Sequence, residues 1–211
     1  MTWRGLVVVV LLAAAGVTAG VVVADRNADE PVSVEDAVPV AGTPALPTTP
    51  PITVKPDPDT PPLARSVATH REKIKDGPRT MQLPVPNGWL RTDSASAVWS
   101  WTVPGQPTNT FFMRVSLPSG DFPRTLTAAR DARIAQLESA EAVKELEVDD
   151  ASADTLEATY VLDGYRRVTF ERFLSLSGGD TVEAVVTLIG RTVDRDGMAA
   201  LLEKVTAQAT R

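Results

Sequence analysis

The stretch from Thr155 to Arg191 constrains the fold most, because it contains three successive β-rich runs, the later two alternating between faces. Asp163-Gly164 is a two-residue hairpin signal between the first two runs, and Ser177-Gly178-Gly179-Asp180 separates the second from the third. A repeat of two residues is typical of a half-buried strand. The stretch therefore predicts three strands that fold back on one another through two turns.

The third run of this stretch is apolar on both of its faces. A strand of that kind usually lies in the middle of a covered sheet, because both faces must be buried. We therefore predict an inner strand here. One face would carry Val182, Ala184, Val186 and Leu188, and the opposite face Val185 and Ile189.

Other runs complete a predicted α+β domain over residues 63–211. Alternating residues predict strands, and apolar residues at helical spacing predict helices. Together, the predicted elements indicate an antiparallel sheet of about five to six strands with helices packed on it. Besides the three runs above, the predicted strands are Met81–Val85, Ala97–Val103 and Thr110–Leu117, and Glu145–Val148 is a brief strand or a loop. The predicted helices are a short Leu63–Lys75, Thr125–Ala140 and one that follows Asp194 or Asp196.

Residues 1–26 form an apolar segment that has no charge between Gly5 and Ala24. About 20 residues rising about 1.5 Å each match a hydrocarbon core of about 30 Å, which predicts a transmembrane helix. Arg4 precedes the segment and acidic residues follow it, so the N-terminus is expected in the cytoplasm and the rest outside. A cleaved signal peptide, which would give a secreted protein, stays open as the alternative.

Residues 27–62 are predicted to form a disordered Pro/Thr-rich linker. Ten of the 17 prolines of the chain lie between Pro31 and Pro62. Such a stretch favours extended polyproline II conformation and holds a domain away from a membrane. The alternatives are a chain that carries O-linked sugars on its threonines, or a docking site for a reader of polyproline segments.

Composition excludes several kinds of function. A net charge of −6 with no basic face argues against a nucleic-acid partner. The chain has no cysteine, which removes disulfides, thiolate metal sites and a lipidated cysteine. The single histidine, His70, lies in a polar stretch and is interpreted as solvated. The acids Glu145, Glu147, Asp149 and Asp150 lack the calcium-loop pattern. We predict no catalytic residue, no metal site and no cofactor.

Two arginines lie among apolar residues and suggest a ligand site. Arg130 lies within the apolar arc of the first domain helix, and Arg172 on the apolar side of the middle strand of the three. One interpretation is that both lay their alkyl stems over apolar surface with the charge in water. The other is a pocket beneath the helix, lined by Trp99, Trp101 and Phe170, in which an arginine holds an acidic head group.

Five features follow one another along the chain. They are the turn Pro86-Asn87-Gly88-Trp89, a strand pair, an alanine-rich helix, the turn Gly164-Tyr165-Arg166-Arg167 and a last amphipathic helix. This order resembles the Mog1/PsbP-like fold, and specifically the actinobacterial LpqN/LpqT-type cell-envelope proteins, over roughly residues 78–211. The resemblance implies a non-enzymatic, surface-exposed module whose partners are proteins or envelope molecules. Lipoprotein members carry a lipidated cysteine, which this chain lacks, so membrane attachment would be through Gly5–Ala24.

Three functions are therefore compared. The first is a membrane-tethered, extracytoplasmic binding or scaffold module that docks an unidentified envelope protein, lipid or glycan. The second is a carrier of a small amphiphile or lipid in a pocket beneath the helix at 125–140. The third, a hydrolase, is the least favoured because the sequence has no Gly-x-Ser-x-Gly turn around a nucleophile.

Overall fold

The computed structural model describes residues 52–107, 110–120, 122 and 124–211. These residues form a seven-stranded sheet, a two-stranded hairpin and two α-helices. A short 3-10 helix, Thr192–Asp194, precedes the second α-helix. The strands are β1 (Thr69–Asp76), β2 (Arg79–Pro86), β3 (Leu90–Ala95), β4 (Val98–Thr102), β5 (Phe112–Ser116), β6 (Val143–Asp150), β7 (Thr155–Leu162), β8 (Tyr165–Leu174) and β9 (Ala184–Gly190), and the helices are α1 (Leu126–Ser139) and α2 (Arg195–Ala207).

The three runs that opened the sequence analysis form β7, β8 and β9. The strand order is β3-β4-β5-β9-β8-β7-β6, so β9 lies at the centre of the sheet and is buried on both faces, as predicted. The hairpin between β7 and β8 turns at Asp163 and Gly164, whose φ values of 53° and 83° are the positive values that such a turn requires. The predicted α+β class, an antiparallel sheet with helices packed on it, is confirmed.

Each face of the sheet carries its own hydrophobic core. The α2 face is covered by α2 and by the β1–β2 hairpin, and its core includes Trp101, Met113, Leu188 and Leu201. The α1 face is covered in part by α1, and its core includes Leu137, Leu156, Tyr160 and Phe173. Val182 belongs to the α1-face core and not with Ala184, because β9 begins only at Ala184.

Residues Leu63–Lys75 do not form the predicted helix. Residues from Thr69 onward form β1, which pairs with β2 across a two-residue turn at Gly77 and Pro78, where Gly77 has a φ of 58°. The Asp76-Gly77-Pro78 signal is therefore a hairpin turn and not a helix end. Only one residue of β1, Ile74, is buried, so the run of charged residues around it hides the alternation.

The strand count was predicted too low because β3 shows no apolar alternation. All six residues of β3 are exposed, and the strand lies at one edge of the sheet, paired with β4. Edge strands of this kind bury little side-chain surface and leave one row of backbone groups exposed. Their sequences therefore carry little of the periodicity on which the prediction depends.

The C-terminal end of the Pro-rich stretch packs on the domain. Residues 55–63, called the strap here, contact the buried pair Arg191 and Asp194, which are 1% and 0% exposed. Arg191 donates to the carbonyl oxygens of Pro58 (2.9 Å), Thr60 (3.1 Å) and Pro61 (3.1 Å), and Asp194 accepts from Leu63 N (2.9 Å). The part of the predicted linker 27–62 that follows Lys55 therefore packs on the domain. Residues 27–51 of this linker and the predicted membrane segment at 1–26 lie outside the described residues.

The strap also passes very close to the start of α2. A β-carbon on Gly197 would lie 2.0 Å from the carbonyl oxygen of Leu63, so only glycine fits there. Pro51–Arg211 is a compact unit that holds both cores and the strap, so a fragment of these residues is expected to fold alone. Within the described residues, neither helix has the length and apolar character needed to cross a membrane.

Candidate functional site

A groove lies between α1 and the part of the α1 face that the helix leaves open. α1 packs chiefly on β6 and β8, beside which two adjoining cavities of about 480 and 510 Å³ remain. We call them the tyrosine cavity and the phenylalanine cavity. The first is lined by Phe112, Arg114, Arg133, Gln136, Leu137, Ala140, Val143, Tyr160, Leu162, Asp163, Tyr165, Arg167 and Ile189, and the second by Arg114, Ser116, Phe122, Ala129, Ala132, Arg133, Gln136, Glu171, Phe173, Val185 and Thr187.

Three arginines from three elements meet at the tyrosine cavity. Arg114 lies on β5 and Arg167 on β8, each at a position whose side chain faces α1 because of the two-residue repeat of a strand. Arg133 lies on the inner side of α1, four residues before the buried Leu137. α1 itself begins where the hydroxyl of Thr125 accepts a hydrogen bond from Ala128 N (3.2 Å).

Arg133 is held in place by a buried carboxylate. Glu171 on β8 is 2% exposed, and its Oε1 accepts from Arg133 Nε at 2.7 Å and from Thr169 Oγ1 at 3.4 Å. Arg133 Nη1 also donates to Gln136 Oε1 at 2.7 Å. A buried carboxylate without such a partner would destabilise the fold, so the ion pair between Glu171 and Arg133 is favoured in the folded protein. This ion pair keeps the Arg133 side chain at the groove.

Arg167 is the most deeply placed of the three arginines. Its side chain is 6% exposed and its guanidinium carbon lies 4.9 Å from the centre of the Tyr165 ring. Nη1 donates to Asp57 Oδ1 of the strap (2.7 Å) and to the carbonyl oxygen of Arg166 (2.6 Å). Nη2 is buried and has no hydrogen-bond partner among the described residues. A buried donor without a partner is uncommon in proteins and costs free energy.

Arg114 is the exposed member of the three. Its guanidinium carbon lies 5.3 Å from the centre of the Phe112 ring, and it forms no ion pair within the described part of the chain. The cations at the groove are the three arginines and Lys55, whose Nζ lies 5.2 Å from the centre of the Tyr165 ring. The carboxylates are Glu171, Asp57 and Asp163, so four cations minus three anions leave one positive charge.

The floor of the tyrosine cavity includes a phenol that stays protonated. Tyr160 is 2% exposed, and burial raises the pKa of its hydroxyl, an effect that the charge of Arg133 only partly opposes. The neutral form is therefore favoured in the folded protein well above neutral pH. In this state Tyr160 offers the groove one hydrogen-bond donor.

We expect Tyr160 to titrate above the ordinary tyrosine value of about 10. The pKa of Tyr160 is higher in the folded than in the unfolded state, so ionisation of this phenol destabilises the folded protein. The free energy of unfolding is therefore fully retained below about pH 10 and decreases as the pH rises through the pKa of the folded state. The difference in tyrosinate absorbance between the parent fragment 51–211 and its Tyr160→Phe variant isolates this group, since Tyr165 is the second of two tyrosines. A midpoint at or below the ordinary value would contradict the assigned environment.

The five residues that the sequence suggested as a ligand site do not form one pocket. Trp99, Trp101 and Phe170 lie in the core of the α2 face, so they are not beneath α1. Arg130 does lie on α1, where it donates to the carbonyl oxygen of Ser152 (2.6 Å). Arg172 lies on the other side of the sheet and pairs with Asp154 (2.8 Å). The aromatic lining suggested from the sequence, Trp99, Trp101 and Phe170 with an arginine, is therefore not found beneath α1.

A pocket beneath the helix does exist, with a different lining. Sequence reasoning missed Arg133 although it lies one turn after Arg130 on the same apolar stripe. It also missed Arg114 and Arg167, which alternate with core residues of β5 and β8. The sequence shows that these two arginines alternate with apolar residues, but it does not show which face of the sheet α1 covers.

Three of the other chemical candidates, His70, Glu145 and Asp149, have structural partners. His70 Nδ1 lies 3.1 Å from Asn87 Oδ1 at an exposed position. Glu145 pairs with Arg166 (2.7 Å), and Asp149 pairs with Arg195 (3.1 Å). Within residues 52–107, 110–120, 122 and 124–211, no group of three or more side chains is placed to hold a metal ion.

One solved structure is similar to this chain, the crystal structure of LpqN, involved in cell envelope biogenesis of Mycobacterium tuberculosis. The TM-score is 0.43 and the identity 15%, over 67% of this chain and 90% of that chain. LpqN is of the protein group that the sequence motifs resemble. No known family model matches the sequence, and neither does any curated protein.

Proposed function

We propose that the protein is a non-enzymatic binding module that takes a small amphiphilic molecule in the groove beneath α1. The observation that carries this proposal is the mixed lining of the tyrosine cavity. Its walls include the apolar side chains of Phe112, Leu137 and Ile189 together with three arginines. Ligand sites in proteins are typically concave and mostly apolar, with a few polar groups that fix the orientation of the ligand.

The titratable groups of the groove support binding and not catalysis. Burial raises the pKa of Tyr160, so the phenol is a poor base at neutral pH. The buried carboxylate of Glu171 is bound by Arg133 at 2.7 Å. A general base needs a free acceptor near its substrate, whereas this carboxylate is already engaged.

The proposed location is the outer side of the cytoplasmic membrane, with the N-terminus inside. The uncharged stretch Gly5–Ala24 supports a single membrane span, and the prolines that follow support a spacer. Secretion after cleavage of this segment is the alternative. In both cases the described domain would act in the cell envelope, where amphiphilic molecules are abundant.

Docking of an envelope protein is the second candidate function. β3 supports it, because this edge strand is exposed along its whole length and Leu90 is 58% exposed. An unpaired edge offers backbone donors and acceptors to a strand of a partner. The groove favours the first proposal, because a flat protein surface does not require two cavities beneath a helix.

We expect the fragment 51–211 to bind the neutral probe octanol, and Ala132→Trp to weaken this binding at least about tenfold, because a bulky ring then fills the phenylalanine cavity. Ala135→Trp is the matched control, since Ala135 is exposed on the same helix and does not line either cavity. Titration calorimetry measures both. Equal binding by the two variants, or no binding by the parent fragment, would overturn the proposal and favour the docking function.

A further inference from the structure

We infer that the groove recognises its ligand through an acidic group, a carboxylate or a phosphate, held where its two cavities join. This inference rests on the proposed function and specifies the ligand class. Arg114, Arg133 and Gln136 line both cavities, so these side chains mark the junction. A head group placed there has apolar wall on both sides for the rest of the molecule.

The charges at the junction favour an anion. Arg133 is neutralised by Glu171 and Arg167 by Asp57, whereas Arg114 has no carboxylate partner within the described residues. The guanidinium carbon of Arg114 lies 5.3 Å from the centre of the Phe112 ring, and the residue is exposed. A guanidinium binds carboxylate or phosphate through two parallel hydrogen bonds, which adds both energy and orientation.

The neighbouring residues set the position of the head group. In the register of the sheet, Arg114 lies opposite Thr187 on β9, and Thr187 lies opposite Glu171 on β8. The buried carboxylate of Glu171 repels an acidic group from that side, and Arg114 attracts it at the other end of the same row. The anion is therefore expected next to Arg114 and Arg133, and not at the bottom of the phenylalanine cavity.

The buried guanidinium of Arg167 adds a second reason for an anion. Its Nη2 has no partner in the described part of the chain, although the side chain lines the tyrosine cavity and is 6% exposed. Asp57 neutralises the charge of Arg167, so this residue contributes the unpartnered Nη2 donor and not a free charge. A buried donor without a partner favours a ligand that carries acceptor oxygens, as a carboxylate or a phosphate does.

The test compares three probes with the same alkyl chain: octyl phosphate, octanoate and octanol. We expect the fragment 51–211 to bind at least one acidic probe about tenfold or more tightly than octanol, since charge-assisted hydrogen bonds are roughly twice as strong as neutral ones. Octyl phosphate binding best identifies a phosphate ligand, and octanoate binding best identifies a carboxylate.

The variant Arg114→Gln is expected to remove this preference, so that the acidic probes no longer bind about tenfold more tightly than octanol. Arg71→Gln is the matched control, because Arg71 is exposed on β1 and the same charge is removed far from the groove. Arg114→Lys should restore the preference in part, because the charge returns without the planar pair of donors. If all three probes bind equally, or if the two glutamine variants behave alike, the acidic-group inference fails. Octanol binding would then still support the proposed function, whereas binding of no probe would overturn both.

Discussion

Replacing Arg191 by methionine is expected to lower the free energy of unfolding of the fragment 51–211 by about 3–5 kcal/mol, the usual cost of breaking a buried ion pair. Asp194 is 0% exposed, and its two oxygens accept from Arg191 Nε at 2.8 Å and from Nη2 at 2.9 Å. These hydrogen bonds raise the pKa of Arg191 above its ordinary value, so this guanidinium keeps its positive charge in the folded protein. Without the arginine, a buried carboxylate is left with little compensation.

The same substitution releases the strap. Four hydrogen bonds from Arg191 Nη1 and Nη2 reach Pro58, Thr60 and Pro61. We therefore expect faster amide exchange over residues 55–63 in the variant, together with the lower stability in urea. The strap also supplies Asp57, the carboxylate partner of Arg167, so its release would increase the positive charge at the tyrosine cavity.

The control for this prediction is Arg65→Met. Arg65 pairs with Asp196, but both side chains are exposed, at 74% and 66%, and exposed pairs contribute little to stability. A second variant, Arg191→Met with Asp194→Leu, replaces both partners by apolar side chains and should recover much of the lost stability. If Arg191→Met and Arg65→Met unfold at the same urea concentration, the buried pair does not have the role assigned to it.

Replacing Trp101 by alanine is expected to destabilise the fragment by about 3–5 kcal/mol, the usual cost of truncating a fully buried aromatic residue. Trp101 is 0% exposed at the centre of the α2-face core, and its Nε1 donates to Glu72 Oε2 at 3.1 Å. Truncation leaves a cavity in this core and removes the donor. Equilibrium unfolding in urea gives the size of the effect.

The milder variant Trp101→Phe separates stability from ligand binding. We expect it to fold and to bind octanol as the parent does, because Trp101 faces away from the groove and does not line either cavity. This outcome would assign Trp101, a residue that the sequence placed in a ligand pocket, to the core alone. A loss of octanol binding as large as that of Ala132→Trp would contradict the assignment.

Local signals were sufficient to predict the centre of the fold. The hairpin at Asp163-Gly164 and the apolar alternation of β9 depend on turn geometry and burial within one short stretch. β3 has no such signal, because its six residues are exposed and its pairing with β4 is made by the backbone. In β1, charged residues around Ile74 fit a helix as well as a strand, and only the pairing with β2 decides between them.

The site was harder to predict because it depends on which face of the sheet each helix covers. Alternation separates Phe170 from Glu171 in β8, but no local property indicates that α1 lies over Glu171 and α2 over Phe170. The strap was missed for a similar reason. The prolines of residues 56–62 favour an extended chain, and an extended chain gives no sign of the buried Arg191 that binds its carbonyl oxygens.

The most direct test of the account is the methyl spectrum of the fragment 51–211 during titration with octyl phosphate. Leu188 and Ile189 are adjacent on β9 and face opposite sides of the sheet, so they form an internal comparison. We predict that the resonances of Ile189 and of Leu137 on α1 shift with increasing probe, and that those of Leu188 and Leu201 do not. Shifts at Leu188 and Leu201 with none at Ile189 would place the ligand on the α2 face and contradict the groove as the binding site.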